Sequence, residues 1–286
     1  MNSEKQVSDD WDMVIRPKTG WFDINFKELW QYRDLIGLFV RRDFVTFYKQ
    51  TILGPLWYII QPLFTTIVFT IIFGRVAKIS TDELPPFLFY MSGNVMWGYF
   101  SASLQATSNT FTTNAGIFGK VYFPRLTVPL ATVIVNFLQF FIQFGLFLGF
   151  YFYFMSKGVP IRPTIWIVGL PILLLQMAML GMGIGILISS MTTKYKDLRF
   201  AMGFLVQLWM YASPIVYPLS QIPDWLLPYY VLNPMVSIVE SFRYAFLGTS
   251  SIQLSHIAIS WSMTLFLLFA GIVLFSRIEK TFMDTV

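Results

Sequence analysis

Apolar residues along this chain gather into long runs rather than short amphipathic periods. A helix rising about 1.5 Å per residue needs roughly 20 apolar residues to cross about 30 Å of hydrocarbon. Six runs meet that length, at residues 55–73, 86–107, 128–155, 164–191, 198–217 and 254–275. They lack the alternation of barrel strands, and lipid admits only helices or closed barrels. The pattern predicts an all-α membrane protein with six transmembrane helices. Between the fifth and sixth, residues 214–248 are too apolar for an ordinary loop, yet Pro214, Pro218, Pro223, Pro228 and Pro234 interrupt them. A seventh span there would carry Glu240 and Arg243 through lipid at a cost of several kcal/mol. A re-entrant helical pair on the outer side is expected, with an amphipathic loop lying on the membrane surface as the alternative.

Ahead of the first run the pattern changes. In residues 33–41, Leu35, Ile36, Leu38 and Phe39 share a face opposite Arg33, Gly37 and Arg41; in residues 42–50, Phe44, Val45, Phe47 and Tyr48 form another. The two faces differ by about half a turn, which predicts a bend or rotation near Arg42. A basic amphipathic helix of this kind lies in the membrane interface. Residues 1–53 are therefore read as a cytoplasmic N-terminal segment with an interface helix, and 54–286 as the transmembrane domain.

Charge sets the orientation. Six spans put both termini on one side. Of the 20 Lys and Arg, 15 fall on that side, while Arg75, Lys78, Lys157, Arg162 and Arg243 make 5 on the other. The positive-inside rule then places both termini in the cytoplasm. The net charge of +5 lies in loops between apolar runs, which favours the membrane surface over nucleic acid as its partner. Composition agrees, with 56% hydrophobic and 12% charged residues, against about a quarter charged in soluble domains.

Several chemistries are missing. The chain has no cysteine, and its single histidine, His256, falls near the outer end of the last run, where a surface role is expected. The spans hold almost no ionisable groups, which argues against an intramembrane enzyme, a metal site or an ion-coupled carrier. Gly116-Ile117-Phe118-Gly119-Lys120 has neither the spacing nor the hydroxyl of a phosphate-cradling loop, so energy for active transport would come from another polypeptide. What the spans do carry is aromatic and small polar: Trp57, Tyr58 and Gln61; Tyr90, Asn94, Trp97, Tyr99, Phe100 and Ser101; Gln207, Trp209 and Tyr211. Rings with one polar handle suit stacking on sugars, and they equally suit packing between helices. Gly181, Gly183 and Gly185 form a small-residue patch read as helix packing. Arg41 and Arg42 sit at headgroup level, where they would meet either ordinary lipid phosphates or a substrate's.

Several local patterns resemble one family. Tyr48-Lys49-Gln50-Thr51-Ile52-Leu53-Gly54-Pro55-Leu56-Trp57, Lys120-Val121-Tyr122-Phe123-Pro124-Arg125, Tyr195-Lys196-Asp197, Ser213-Pro214-Ile215-Val216-Tyr217-Pro218 and Asn233-Pro234-Met235 followed by Arg243 are similar to ABC-2 type permeases, in particular exporters of O-antigen, capsule and teichoic acid polymers. The resemblance implies a homodimer in the bacterial inner membrane, paired with a separate ABC ATPase dimer that binds ATP and Mg. It also implies a channel lined from the first, second and fifth spans, with Trp57, Tyr58, Trp97, Tyr99, Phe100 and Tyr211 as candidates. Asn114, Gly116 and Lys120 would lie in a coupling helix, outer gate helices in residues 218–248, and Arg41 and Arg42 opposite the phosphates of a lipid-linked polysaccharide. No catalytic residue and no cofactor bound by this chain are expected. The competing readings are an exporter of drugs or small lipids, a membrane glycan-processing enzyme, and a passive scaffold.

Overall fold

The computed structural model describes residues 26–49, 53–249 and 253–285, and every regular element among them is helical. The polar segment 1–25, residues 50–52 of the first motif, and the side chains of Phe47, Tyr48 and Lys280 lie outside the described residues. A short α1 (Phe26–Gln31) leads into α2 (Arg33–Lys49). Gly54, at φ +48, takes the left-handed backbone that lets the chain turn into the bundle. A 3₁₀ turn, Gly54–Leu56, carries Pro55 where a proline costs no hydrogen bond. It continues as α3 (Trp57–Phe69) and then as a wider π-helical stretch, Thr70–Val76.

The remaining helices are α4 (Pro86–Ser108), α5 (Thr110–Phe118), α6 (Thr127–Ser156), α7 (Leu170–Thr192), α8 (Leu198–Tyr211), α9 (Leu227–Tyr230), α10 (Pro234–Leu247) and α11 (Leu254–Thr285). Their limits follow local chemistry. The Asp197 carboxylate accepts from the Leu198 N–H to start α8, the Asn233 side chain accepts from the Met235 N–H to start α10, and Gly248 ends α10 at φ +72.

Among the described residues, four helical stretches are long and apolar enough to cross a membrane: Gly54–Val76, Thr127–Ser156, Ile165–Thr192 and Leu254–Glu279. The other two expected spans differ from them in distinct ways. α4 has 23 residues but carries Ser92, Asn94, Ser101, Ser103 and Gln105 along its length. Protein surrounds it: α3, α6 and α7 pack on it, and Leu88 to Trp97 are all buried. α8 is 14 residues long, about 21 Å, because the expected run to residue 217 leaves the helix after Tyr211.

Close approach at the centre depends on the glycine patch. A Cβ on Gly183 would stand 2.6 Å from the Leu268 Cα of α11, and one on Gly185 would collide with Thr107 of α4. At one end of the bundle a second apolar cluster joins Phe39, Phe111, Phe118, Phe123, Val128, Ala131, Ile186 and Phe275. Phe39 brings α2 into it, its ring 5.7 Å from that of Phe123. The bend expected near Arg42 is not a break in the helix, since α2 runs unbroken from Arg33 to Lys49. Its two apolar faces serve two surroundings: the Phe39 face docks on the protein, and Phe44 stays exposed.

Candidate functional site

The candidate residues fall on three regions of the bundle. α3 and α8 both pack on α4 and both present apolar flanks. On α3 the exposed residues include Trp57, Gln61, Phe64 and Val68, spaced to share one face; on α8 they include Phe200, Phe204, Leu208 and Tyr211. Trp57 and Tyr211 are thus at the protomer surface, 46% and 41% exposed, and Tyr58 is half-buried. Trp97 and Phe100 are buried beneath α8. Their rings stand 6.5 and 5.2 Å from Trp209, so the three form one cluster tying α4 to α8. Tyr99 turns the other way: it is fully buried, stacks on Phe137 at 4.9 Å and faces α6. The structure therefore brings Trp97 and Phe100 together, leaves Trp57 and Tyr211 exposed, and separates Tyr99 from both groups.

At the α2 end, Arg41 is exposed, while Arg42 is held by Asp43, with Nε 2.7 Å from Oδ1, and its guanidinium lies 4.7 Å from the Phe39 ring centre. The expected coupling segment is a helix of its own, α5. Asn114 is buried there and donates to the Thr110 carbonyl, Gly116 faces open space, and Lys120 follows the helix in an exposed turn. Arg125, in the next loop, grips the C-terminal helix: its backbone N–H donates to Glu279 Oε1 at 3.2 Å and its Nη1 to the Glu279 carbonyl at 2.6 Å. Burial lowers the Arg125 pKa, an effect the Glu279 charge opposes.

The opposite end holds a buried cation to which the sequence assigned no role at the site. Arg243, counted with the outer charges, is 1% exposed and all five of its N–H donors have acceptors. Nε donates to Ser92 Oγ at 3.2 Å; Nη1 donates to the Pro214 carbonyl and, at 3.2 Å, to Glu240 Oε1; Nη2 donates to the carbonyls of Phe89 at 3.4 Å and Ile215 at 3.2 Å. The guanidinium also lies 3.7 Å from the Phe89 ring centre. The signal available was the Glu240 and Arg243 pair at helical i, i+3 spacing, which lets an ion pair be buried together.

Nearby, Asn233 joins the end of α8 to the start of α10. Its side chain accepts from Trp209 Nε1 at 3.0 Å and donates to the Ala212 carbonyl at 3.0 Å and to Ser213 Oγ at 2.9 Å. Tyr217 donates to the Tyr211 carbonyl at 2.7 Å and accepts from the Tyr230 hydroxyl at 3.2 Å. His256 lines a small crevice with Glu240, Ser237, Ser241 and Gln253. Among the described residues no three His, Cys, Asp or Glu side chains gather as a metal site.

Comparison with known proteins places this arrangement among transporters. The family model described as ABC-2 type transporter matches residues 34–247. The O-antigen export system permease protein RfbA of Klebsiella pneumoniae is 27% identical over 256 residues, covering 88% of this chain and 94% of that one. The protein of the same name from Myxococcus xanthus is 28% identical over 222 residues, 77% of this chain and 83% of its own. The polysialic acid transport protein KpsM of Escherichia coli is 22% identical over 257 residues, 85% and 93% of the two chains.

Proposed function

The chain belongs to the ABC-2 type transporter family, and from that premise we propose that it is the permease of an ATP-driven exporter moving a lipid-linked polysaccharide across the bacterial inner membrane. The observation that carries the reading is the similarity to O-antigen export permeases over nearly the full length of both chains. A polysialic acid transport protein and a capsule polysaccharide export inner-membrane protein match over a similar span.

In this reading α4 and α8 join the four apolar helices as spans, giving six, and both termini face the cytoplasm. α4 is too polar to face lipid and has no need to, because its neighbours cover it. Residues 212–217 extend α8 toward the far side. Two copies of the chain would enclose a channel between their α3 and α8 flanks, with Trp57, Tyr58 and Tyr211 offering rings to passing sugars and Trp97 and Phe100 backing α8 from beneath. A ring face stacks on a pyranose without fixing its register, which suits a polymer that must slide. Energy would come from a separate ATPase dimer, carrying ATP and Mg, docked on α5 through Gly116 and Lys120. Arg41 and Arg42, beside the membrane surface, would meet the phosphates of the lipid anchor.

The test is a deletion strain with surface glycan measured. Glycan should disappear and return with the intact gene, and Trp57→Ala with Tyr211→Ala should reduce export while the protein level holds. Unchanged glycan in the deletion strain, with a lost drug-resistance phenotype, would replace the polysaccharide by a small molecule.

A further inference from the structure

Arg243 hydrogen-bonds to three separate pieces of chain: its own helix through Glu240, α4 through Phe89 and Ser92, and the segment leaving α8 through the carbonyls of Pro214 and Ile215. Those carbonyls lie past the end of α8, where no helix ladder takes them and Pro214 and Pro218 bring no N–H of their own. A buried carbonyl needs a donor, and the planar arginine fork supplies one to each.

A second observation comes from the opposite wall. A Cβ on Gly93 of α4 would stand 3.0 Å from Arg243 Nη2 and 3.1 and 3.3 Å from Ile215 Cγ2 and Cα. α4 lacks a side chain where the guanidinium and Ile215 press on it. Ser213, Pro214, Ile215 and Val216 are all buried around this contact. The rest of the outer segment is held differently. Trp225 and Tyr229 are 73% and 71% exposed, and Ser220 makes an exposed hydrogen bond of 2.8 Å to Asp82.

We infer that Arg243 is a positioning residue for the export path: it clasps the root of the outer segment, residues 213–216, onto α4, so that opening of the outer mouth is confined to the crown, residues 219–232. The role in export rests on the function proposed above; the clasp itself is tested without transport.

The natural absence of cysteine makes the test clean, because a single introduced cysteine reports alone. Ile215→Cys, in membrane fragments exposing both faces, should react slowly with a charged maleimide, with or without ATP and Mg. Arg243→Met paired with Glu240→Gln removes the ion pair without leaving a lone buried charge; labelling should rise about tenfold or more, since reactivity tracks the opened population. Arg243→Lys should lie between, because three donors on one ammonium cannot serve five acceptors. Gly93→Ala keeps every charge and displaces the fork, so it should also raise labelling, and it decides the matter if the double variant does not fold. Ser220→Cys should label in every background.

Protection of Ile215→Cys within about twofold of the parent in the folded charge variant and in Gly93→Ala would overturn the clasp. So would loss of protection during ATP turnover with Arg243 intact. Labelling as expected in a chain that exports no glycan would sink the transport reading and leave the clasp standing.

Discussion

Gly183 and Gly116 are both helical glycines, and their surroundings give them opposite expectations. Backbone of α11 lies against Gly183, while Gly116 on α5 has nothing within 4 Å of where a Cβ would go. Gly183→Ala should cost about 1–3 kcal/mol through overpacking, read as a lower melting temperature in detergent. Gly116→Ala should hold or slightly raise the melting temperature, since alanine favours a helix by up to about 1 kcal/mol, so a loss of glycan export in that variant would not come from lost stability. Asn233→Ala removes the α10 cap together with the Trp209, Ala212 and Ser213 hydrogen bonds; a loss of about 1–2 kcal/mol is expected by the same melting assay. At this scale the glycine patch was legible because small residues four apart have one common use in membrane helices. Arg243 was not. Its acceptors are mostly backbone carbonyls from residues 89, 214 and 215, and a carbonyl carries no mark of its partner in the sequence.

Among the elements, α2 shows how two apolar faces half a turn apart can belong to one continuous helix: Phe39 docks on the protein while Phe44 stays exposed. Phe39→Ala should therefore unseat α2, raising amide exchange across residues 33–45 while α4 and α7 stay protected. A large aromatic truncation costs about 3–5 kcal/mol in a full core, and this partly rimmed site should fall toward the lower end. α8 presents the converse case. Its apolar run continued to residue 217, but hydropathy does not distinguish a helix from a series of turns whose carbonyls are met by the side chains of Arg243 and Asn233.

For the molecule as a whole, the run lengths identified the membrane class and the all-helical fold directly, whereas the number of spans depends on what surrounds each helix. α4 illustrates the point, since Ser92, Asn94 and Ser103 look unsuited to lipid until the neighbouring helices bury them. The Asn94 amide meets Thr66 of α3 at 3.2 Å, and Ser103 receives Asn136 of α6 at 3.3 Å. That dependence reaches into biogenesis. A helix of this polarity gains little by leaving the insertion machinery alone, so α4 should be retained there until α6 and α7 emerge to receive it. A topology reporter fused after residue 108 should score as poorly inserted, and the same reporter after residue 192 should rescue α4 into the bilayer. The order of synthesis, in which its polar partners on α6 come after it, would then set when the core of this protein can close.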